Sequence, residues 1–188
     1  MRCNEKTVLL SDRTALVPYL KEHVLQYHAW MEDDILRDQT ASERLTLEEE
    51  YAMQKSWHED ERKLTFIVVD PTKGRLDDID NTFDEYKACK MIGDVNAFLH
   101  LDEDEIPFGE IELMIAEPQY RGRGLAVEIL GLFLRYLVKT TTLDYLAEKI
   151  STKNERSIRT FRSVGFRDYK RIEVFDELEM RLEIAQVS

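Results

Sequence analysis

Cysteine is scarce in this 188-residue sequence: Cys3 and Cys89 stand far apart, with no CxxC spacing. Two such residues make neither a disulfide framework nor a redox motif, and they read as free thiols in a reducing compartment. The four histidines are scattered without metal-ligand spacing, so no metal site is expected. No run approaches the ~18 apolar residues a membrane helix requires, so no membrane association is expected. The opening stretch, MRCNEKTVLL, lacks the apolar core of a secretory signal. Together these absences predict a soluble, cytoplasmic protein.

Positive charge is also in deficit. Lys and Arg total 26 against 38 Asp and Glu, a net charge of −12. A nucleic-acid partner calls for a basic surface and is not expected here. The string Arg121-Gly122-Arg123-Gly124 has the form of an arginine-glycine repeat, but it occurs once, inside a structured pattern. An acidic field favours a cationic partner or substrate, or serves solubility alone.

What is present is ordinary globular composition, 43% hydrophobic and 34% charged. That is enough for one well-filled core, and a single domain across residues 1–188 is expected. KTVLLSDRTALVPY reads as a hairpin around Ser11-Asp12-Arg13, and EHVLQYHAWM as a helix. Thr46 and Glu49 form a capping box ahead of a second helix carrying Leu47, Tyr51, Gln54 and Trp57. KLTFIVVD, MIGDVNAFL and EIELMIA are strands, the last two joined by an acidic turn. Residues 71–89 are polar, carry Pro and Gly, and show no sustained period, so they read as a long insertion between strands. Leu125, Ile129, Leu130, Phe133, Leu134 and Leu137 mark a strongly amphipathic helix. A strand over 145–151, a helix capped by Asn154 and ended by Gly165, and a closing hairpin complete the chain. The order predicts an α+β fold: a mixed, mostly antiparallel sheet of about seven strands flanked by helices.

Only seven glycines occur, yet Gly122 and Gly124 fall between an apolar strand and an apolar helix, beside two arginines. A tight turn explains them, and so does a phosphate cradle. Walker A demands GxxxxGK[ST], which is absent; a dinucleotide fold demands GxGxxG, and Val127 stands at the third glycine position. What remains is Gln119-x-x-Gly122-x-Gly124 at a helix start. Without a Cβ there, backbone N–H groups approach an anion closely, and the helix N-terminus attracts it.

The second half of the chain carries a family likeness. QYRGRG followed by NERSIRTFRSVGF, in that order and each on its expected element, resembles the GCN5-related N-acetyltransferase (GNAT) superfamily. ALVPYLKEHVLQYHAWM, TASERLTLEEEYAMQKSW, FIVVD and GEIELMIAEP are similar to its N-acetyltransferase-9-like branch, from Met1 to about residue 185. The resemblance implies a twisted sheet whose central strands splay apart, acetyl-CoA as cosubstrate, and no metal. It implies that Gln119, Gly122 and Gly124 bind the pyrophosphate; Arg121 and Arg123 are expected to add charge from the side, with Leu125 and Ala126 also in the cofactor site. The backbone of Met114, Ile115 and Ala116 would then pair with pantetheine and stabilise an oxyanion. Asn154, Ser157 and Phe161 would lie beside pantetheine and the thioester.

The acceptor implied by that branch is a protein N-terminal amine, of α- and β-tubulin, with an association with microtubules. Glu110 is the first candidate for the base and Glu112, two residues along on the same strand face, the second; both also suit solvated strand positions. Glu148 is the third candidate. Many members of the family place a proton-donating tyrosine where Phe161 stands, and phenylalanine donates nothing. Two other readings stay open: a microtubule-associated, cofactor-binding protein with little turnover, and an acetyltransferase of small amines.

Overall fold

A computed structural model describes residues 4–72 and 82–184. The N-terminal hairpin pairs β1 (Leu9–Leu10) with β2 (Ala15–Pro18), and Ser11 donates its N–H to the Thr14 carbonyl across the turn. Helix α1 (Val24–Met31) buries Val24, Tyr27, Trp30 and Met31 against the sheet. A short α2 (Asp34–Gln39) follows, capped by the Asp33 carboxylate, which accepts from the N–H groups of Ile35 and Leu36. The sequence reading has no helix there, because six residues are too few to display a period.

Helix α3 (Leu47–Glu59) starts at the expected capping box. Thr46 Oγ1 accepts from Glu49 N–H at 3.3 Å, and Glu49 Oε2 accepts from Thr46 N–H at 2.8 Å. Strand β3 (Lys63–Asp70) is buried at all eight positions. The segment read as an insertion contains a further short helix, α4 (Thr82–Lys87), again below the length at which periodicity shows. Residues 73–81 of that segment lie outside the described residues. Then come β4 (Lys90–Leu101), β5 (Pro107–Ile115), α5 (Leu125–Thr140) and β6 (Tyr145–Ser151), followed by α6 (Glu155–Ser163), β7 (Arg167–Ile172) and β8 (Glu177–Glu183).

The strands form one sheet in the order β1-β2-β3-β4-β5-β6-β8-β7. There are eight strands rather than about seven, the two-residue β1 being one of them. Every neighbouring pair is antiparallel except β5 and β6, which run parallel because α5 carries the chain back across the sheet.

The sheet is covered on both faces. On one, α5 buries Leu125, Ile129, Leu130, Phe133 and Leu137, and Phe133 meets Phe66 of β3 edge to face. Each such side chain contributes about 1.5–3 kcal/mol on burial. On the other face, α1 and α3 cover Ile67 and Val69 of β3 with a cluster that includes Tyr19, Tyr27 and Trp30.

The position of the site follows from one feature of this sheet. Strands β5 and β6 pair at only three positions, Phe108 with Tyr145, Gly109 with Leu146 and Glu110 with Ala147. Beyond these, β5 continues to Ile115 alongside β4, and β6 continues to Ser151 alongside β8. The two strands therefore splay, as the family resemblance implied, and a gap opens between them.

Candidate active site

The gap is lined on one side by the backbone of β5, whose residues turn alternately to either neighbour. The Pro107 carbonyl accepts from Asp144 on the β6 side, and Ala116 donates its N–H to Ile92 of β4 at 3.0 Å. Odd-numbered residues therefore face the gap, which puts the Leu113 and Ile115 N–H groups there. Of the stretch Met114 to Ala116, the structure gives the gap only the Ile115 N–H; Met114 turns its backbone, and Ala116 its N–H, to β4.

Past the end of β5, Pro118–Tyr120 makes a single tight turn, and Tyr120 donates its hydroxyl to Asp70 at 2.6 Å. The Gln119 amide turns back to Glu117 at 2.6 Å. Arg121 does not lie beside the loop as a free cation. Its guanidinium donates to the carbonyls of Ile115 and Ala116, both at 2.8 Å, strapping the loop to the strand it leaves.

Gly122 and Gly124 adopt φ values of 77° and 75°, in the left-handed region that side chains resist by about 1–2 kcal/mol. Nothing lies within 4 Å of where a Cβ on Gly124 would stand. The glycine is required there by backbone conformation, and the space it leaves open sits at the N-terminus of α5. Leu125 and the half-buried Ala126 begin that helix, whose first N–H groups have no intrahelical acceptor. Open space, left-handed glycines and free donors suit the phosphates of a coenzyme A.

Two cations that the sequence reading did not select complete this corner. The Arg156 guanidinium, from the first turn of α6, lies 3.5 Å from the Cβ position of Gly122. Arg13, in the β1–β2 turn, pairs with Glu128 at 2.6 Å and donates to the Arg123 carbonyl at 2.9 Å. Glu128 sits in the first turn of α5, where its charge would repel an anion. Burial acts to raise its pKa, but hydrogen bonds from Ser11, Arg13 and Thr14 outweigh that and hold the carboxyl below its ordinary value. Arg13 thus neutralises the Glu128 charge beside the glycine loop. Arg123 lies over the Tyr120 ring, 5.6 Å from its centroid.

Asn154 caps α6 as expected, its side chain accepting from the Ser157 N–H at 3.1 Å. Asn154→Ala should cost about 1 kcal/mol through loss of that cap. Urea unfolding of the two proteins checks this, with a lower midpoint and an unchanged slope expected. Phe161 is placed otherwise than on an open wall of the gap. It is 2% exposed and packs edge to face on Phe166, with centroids 5.1 Å apart and an interplanar angle of 89°.

The other components are carboxylates: Glu110 and Glu112 on the sheet face under α1 and α3, and Glu148, which lies at alternate positions with Leu146 and Ile150 on β6, on the opposite face. Glu110 is held by Lys149 at 3.0 Å. Glu112 is exposed, stands opposite Asn96 of β4, and makes no ion pair among the described residues. Glu148 lies on β6 one residue beyond the last position paired with β5. Burial pushes its pKa well above the usual carboxylate range, and the charges of Glu112, Glu110 and Glu177 push the same way. The gap thus brings together one ion-paired carboxylate, one free one and one that favours its protonated form. Among the described residues no group of His, Cys, Asp and Glu is placed to hold a metal ion.

The fold, the splay and the glycine loop together define an acyltransferase of one widespread class. The acetyltransferase (GNAT) domain family matches residues 13–167, and the chain belongs to it. It is 45% identical to alpha/beta-tubulin-N-acetyltransferase 9 of Drosophila melanogaster, covering 98% of this chain and 90% of the relative. Its identity to the Homo sapiens protein of the same name is 46%, over 99% of this chain and 87% of the relative. Among solved structures, spermidine N-acetyltransferase from Vibrio cholerae in complex with CoA and spermine aligns with a TM-score of 0.74 at 15% identity. That alignment covers 92% of this chain and 96% of the neighbour, and at this identity it shows the fold alone.

Proposed function

We propose that this protein transfers the acetyl group of acetyl-CoA to the N-terminal α-amine of a protein in the cytoplasm, with tubulin as the acceptor. The observation that carries the first half is the pair of left-handed glycines at the start of α5, opening beside the gap between β5 and β6. The names of the closely similar relatives support tubulin. Gly122, Gly124 and the first turn of α5 would hold the pyrophosphate, with Arg123 and Arg156 supplying charge from the side. The Ile115 N–H would donate to the acyl oxygen as negative charge develops there.

An α-amine suits this site. With an ordinary pKa of about 7.7–8.0, it is partly neutral at physiological pH, whereas a lysine near 10.4 is about 0.1% neutral. One positioned carboxylate is enough to complete its deprotonation. Lys149 already occupies both oxygens of Glu110, so we assign proton acceptance to Glu112. Glu112→Gln should lower kcat by about 10²–10⁴-fold at neutral pH, with partial recovery as pH rises and the amine deprotonates unaided. Glu110→Gln should have a smaller effect.

Mass spectrometry of tubulin N-terminal peptides, incubated with this protein and acetyl-CoA, tests the reading. Acetylated α-amines are expected. Acetyl-CoA binding without any acetylated peptide would instead favour a microtubule-binding role, and full activity at neutral pH in both glutamine variants would discard a carboxylate base on β5.

A further inference from the structure

The turn between β1 and β2 is separated from the glycine loop by 110 positions and touches it in space. The link runs through one carboxylate. Glu128, in the first turn of α5, accepts on Oε1 from the Ser11 hydroxyl, from the Thr14 hydroxyl at 3.1 Å and from the Arg13 N–H at 3.3 Å. Its Oε2 takes the Arg13 guanidinium, at 2.8 Å from Nε and 2.6 Å from Nη2. The remaining nitrogen, Nη1, reaches past Glu128 and donates to the Arg123 carbonyl at 2.9 Å. A planar fork serves both acceptors at once, which the compact ammonium of a lysine does not.

The Arg123 carbonyl and the Gly124 N–H belong to one trans peptide, so they point in opposite directions. With the carbonyl turned to Arg13, the Gly124 N–H is turned away from the hairpin, and no acceptor takes it among the described residues. The N–H groups of Leu125 and Ala126 follow at the helix start, also without intrahelical acceptors. On the other flank, the Arg121 guanidinium grips the carbonyls of Ile115 and Ala116. Two arginines therefore hold residues 121–124 from both ends, one to the strand the loop leaves and one to the N-terminal hairpin. Donors fixed in place before an anion arrives need no reorganisation when it binds.

We propose that Arg13 is a positioning residue for acetyl-CoA, aiming the Gly124 N–H at the pyrophosphate and neutralising the carboxylate that anchors the hairpin beside it. The proposal rests on the acetyl-CoA reading of the glycine loop and deepens it. Arg13 acts through the peptide between Arg123 and Gly124 and through Glu128, rather than on the acetyl group. Ser11 and Thr14 already tether the hairpin to α5. The arginine adds two things that a tether does not need: a cation beside the carboxylate at the anion-attracting end of the helix, and a grip on a loop carbonyl.

Isothermal titration calorimetry with coenzyme A tests this. Arg13→Met keeps the stem and removes both contacts, and it should weaken coenzyme A binding about tenfold, since Glu128 then faces the phosphates uncompensated and the peptide is free to turn. Adding Glu128→Gln removes that charge and should recover about threefold. Arg13→Lys keeps a cation and loses the fork, so its affinity should fall between those of the wild type and Arg13→Met. It also keeps the test open should the methionine variant fold poorly. Pantetheine, which carries no phosphate, should bind the wild type and Arg13→Met alike when followed by NMR.

Nitrogen-15 NMR reads the peptide itself. On titration with coenzyme A, the Gly124 amide proton should move downfield in the wild type and by much less in Arg13→Met. Equal affinity for coenzyme A in the wild type and Arg13→Met overturns the positioning role alone. So does a Gly124 amide that stays still while coenzyme A binds. Equal losses for coenzyme A and pantetheine make Arg13 a structural tether and overturn it too. Absence of coenzyme A binding to the wild type overturns the phosphate cradle and the role of Arg13 together.

Discussion

Gly124→Glu should show no thermal stabilisation by acetyl-CoA. In the wild type, a ligand at a hundred times its Kd adds about 2.7 kcal/mol to the stability of the state that binds it. For a chain of this size that is a rise in melting temperature of roughly 5–11 °C. Glutamate at this position puts a Cβ and a carboxylate into the space that Gly124 leaves open at the α5 N-terminus. The new charge faces the phosphates, and the left-handed φ of 75° adds strain of about 1–2 kcal/mol. Gly124→Ala separates the two causes, because its Cβ meets no protein atom within 4 Å. The alanine variant should lose only the strain when ligand-free, yet bind acetyl-CoA weakly. Differential scanning calorimetry with and without acetyl-CoA measures both, and an unchanged shift in Gly124→Glu would remove the phosphate cradle from this loop.

Phe161→Ala should unfold with about 3–5 kcal/mol less stability, the range for removing a well-packed aromatic ring. Phe161 belongs to the core between the sheet and the α5–α6 face, and its contact with Phe166 fixes the end of α6 on β7. Against a domain stability of about 5–15 kcal/mol, that loss leaves a marginal protein. Phe161→Tyr should also destabilise, by about 1–3 kcal/mol if its new hydroxyl finds no partner. It should not speed release of the thiol, since the ring edge is enclosed by side chains. Denaturant titration of both variants decides this. Wild-type stability in the alanine variant, combined with weakened acetyl-CoA binding, would return Phe161 to the wall of the cofactor site.

Much of the site's outline was legible along the chain. Thr46 with Glu49, and Asn154 with Ser157, announced two helix starts because a cap is a contact between residues three apart. The apolar stripe of α5 announced the face that packs on the sheet. The glycine spacing marked the loop at the start of that helix, and the left-handed φ values agree with the choice of residue. The short α2 and α4 were missed for want of length. Other assignments turned on which neighbour a group meets. Arg121 looked like a phosphate ligand until the turn at Pro118–Tyr120 carried its guanidinium back to the carbonyls of Ile115 and Ala116. Arg13 lies more than a hundred residues from Glu128, and Arg156 more than thirty from Gly122, so no local pattern joined either pair.

By itself, then, the sequence determined the longer elements, their order, the α+β class and the loop where two glycines meet a helix. All of these depend on side-chain period, caps and backbone freedom within a few residues. Tertiary structure decided where β5 and β6 part, because strand separation depends on the partners each strand keeps on its far side. It also decided which of Glu110 and Glu112 is tied up, since Lys149 comes from another strand. No local pattern in the sequence singles out Lys63 or Asp94, each a charge within a strand. Only the packing of α1 and α3 over that face removed them from water, and with the water went the screening that had made them unremarkable neighbours.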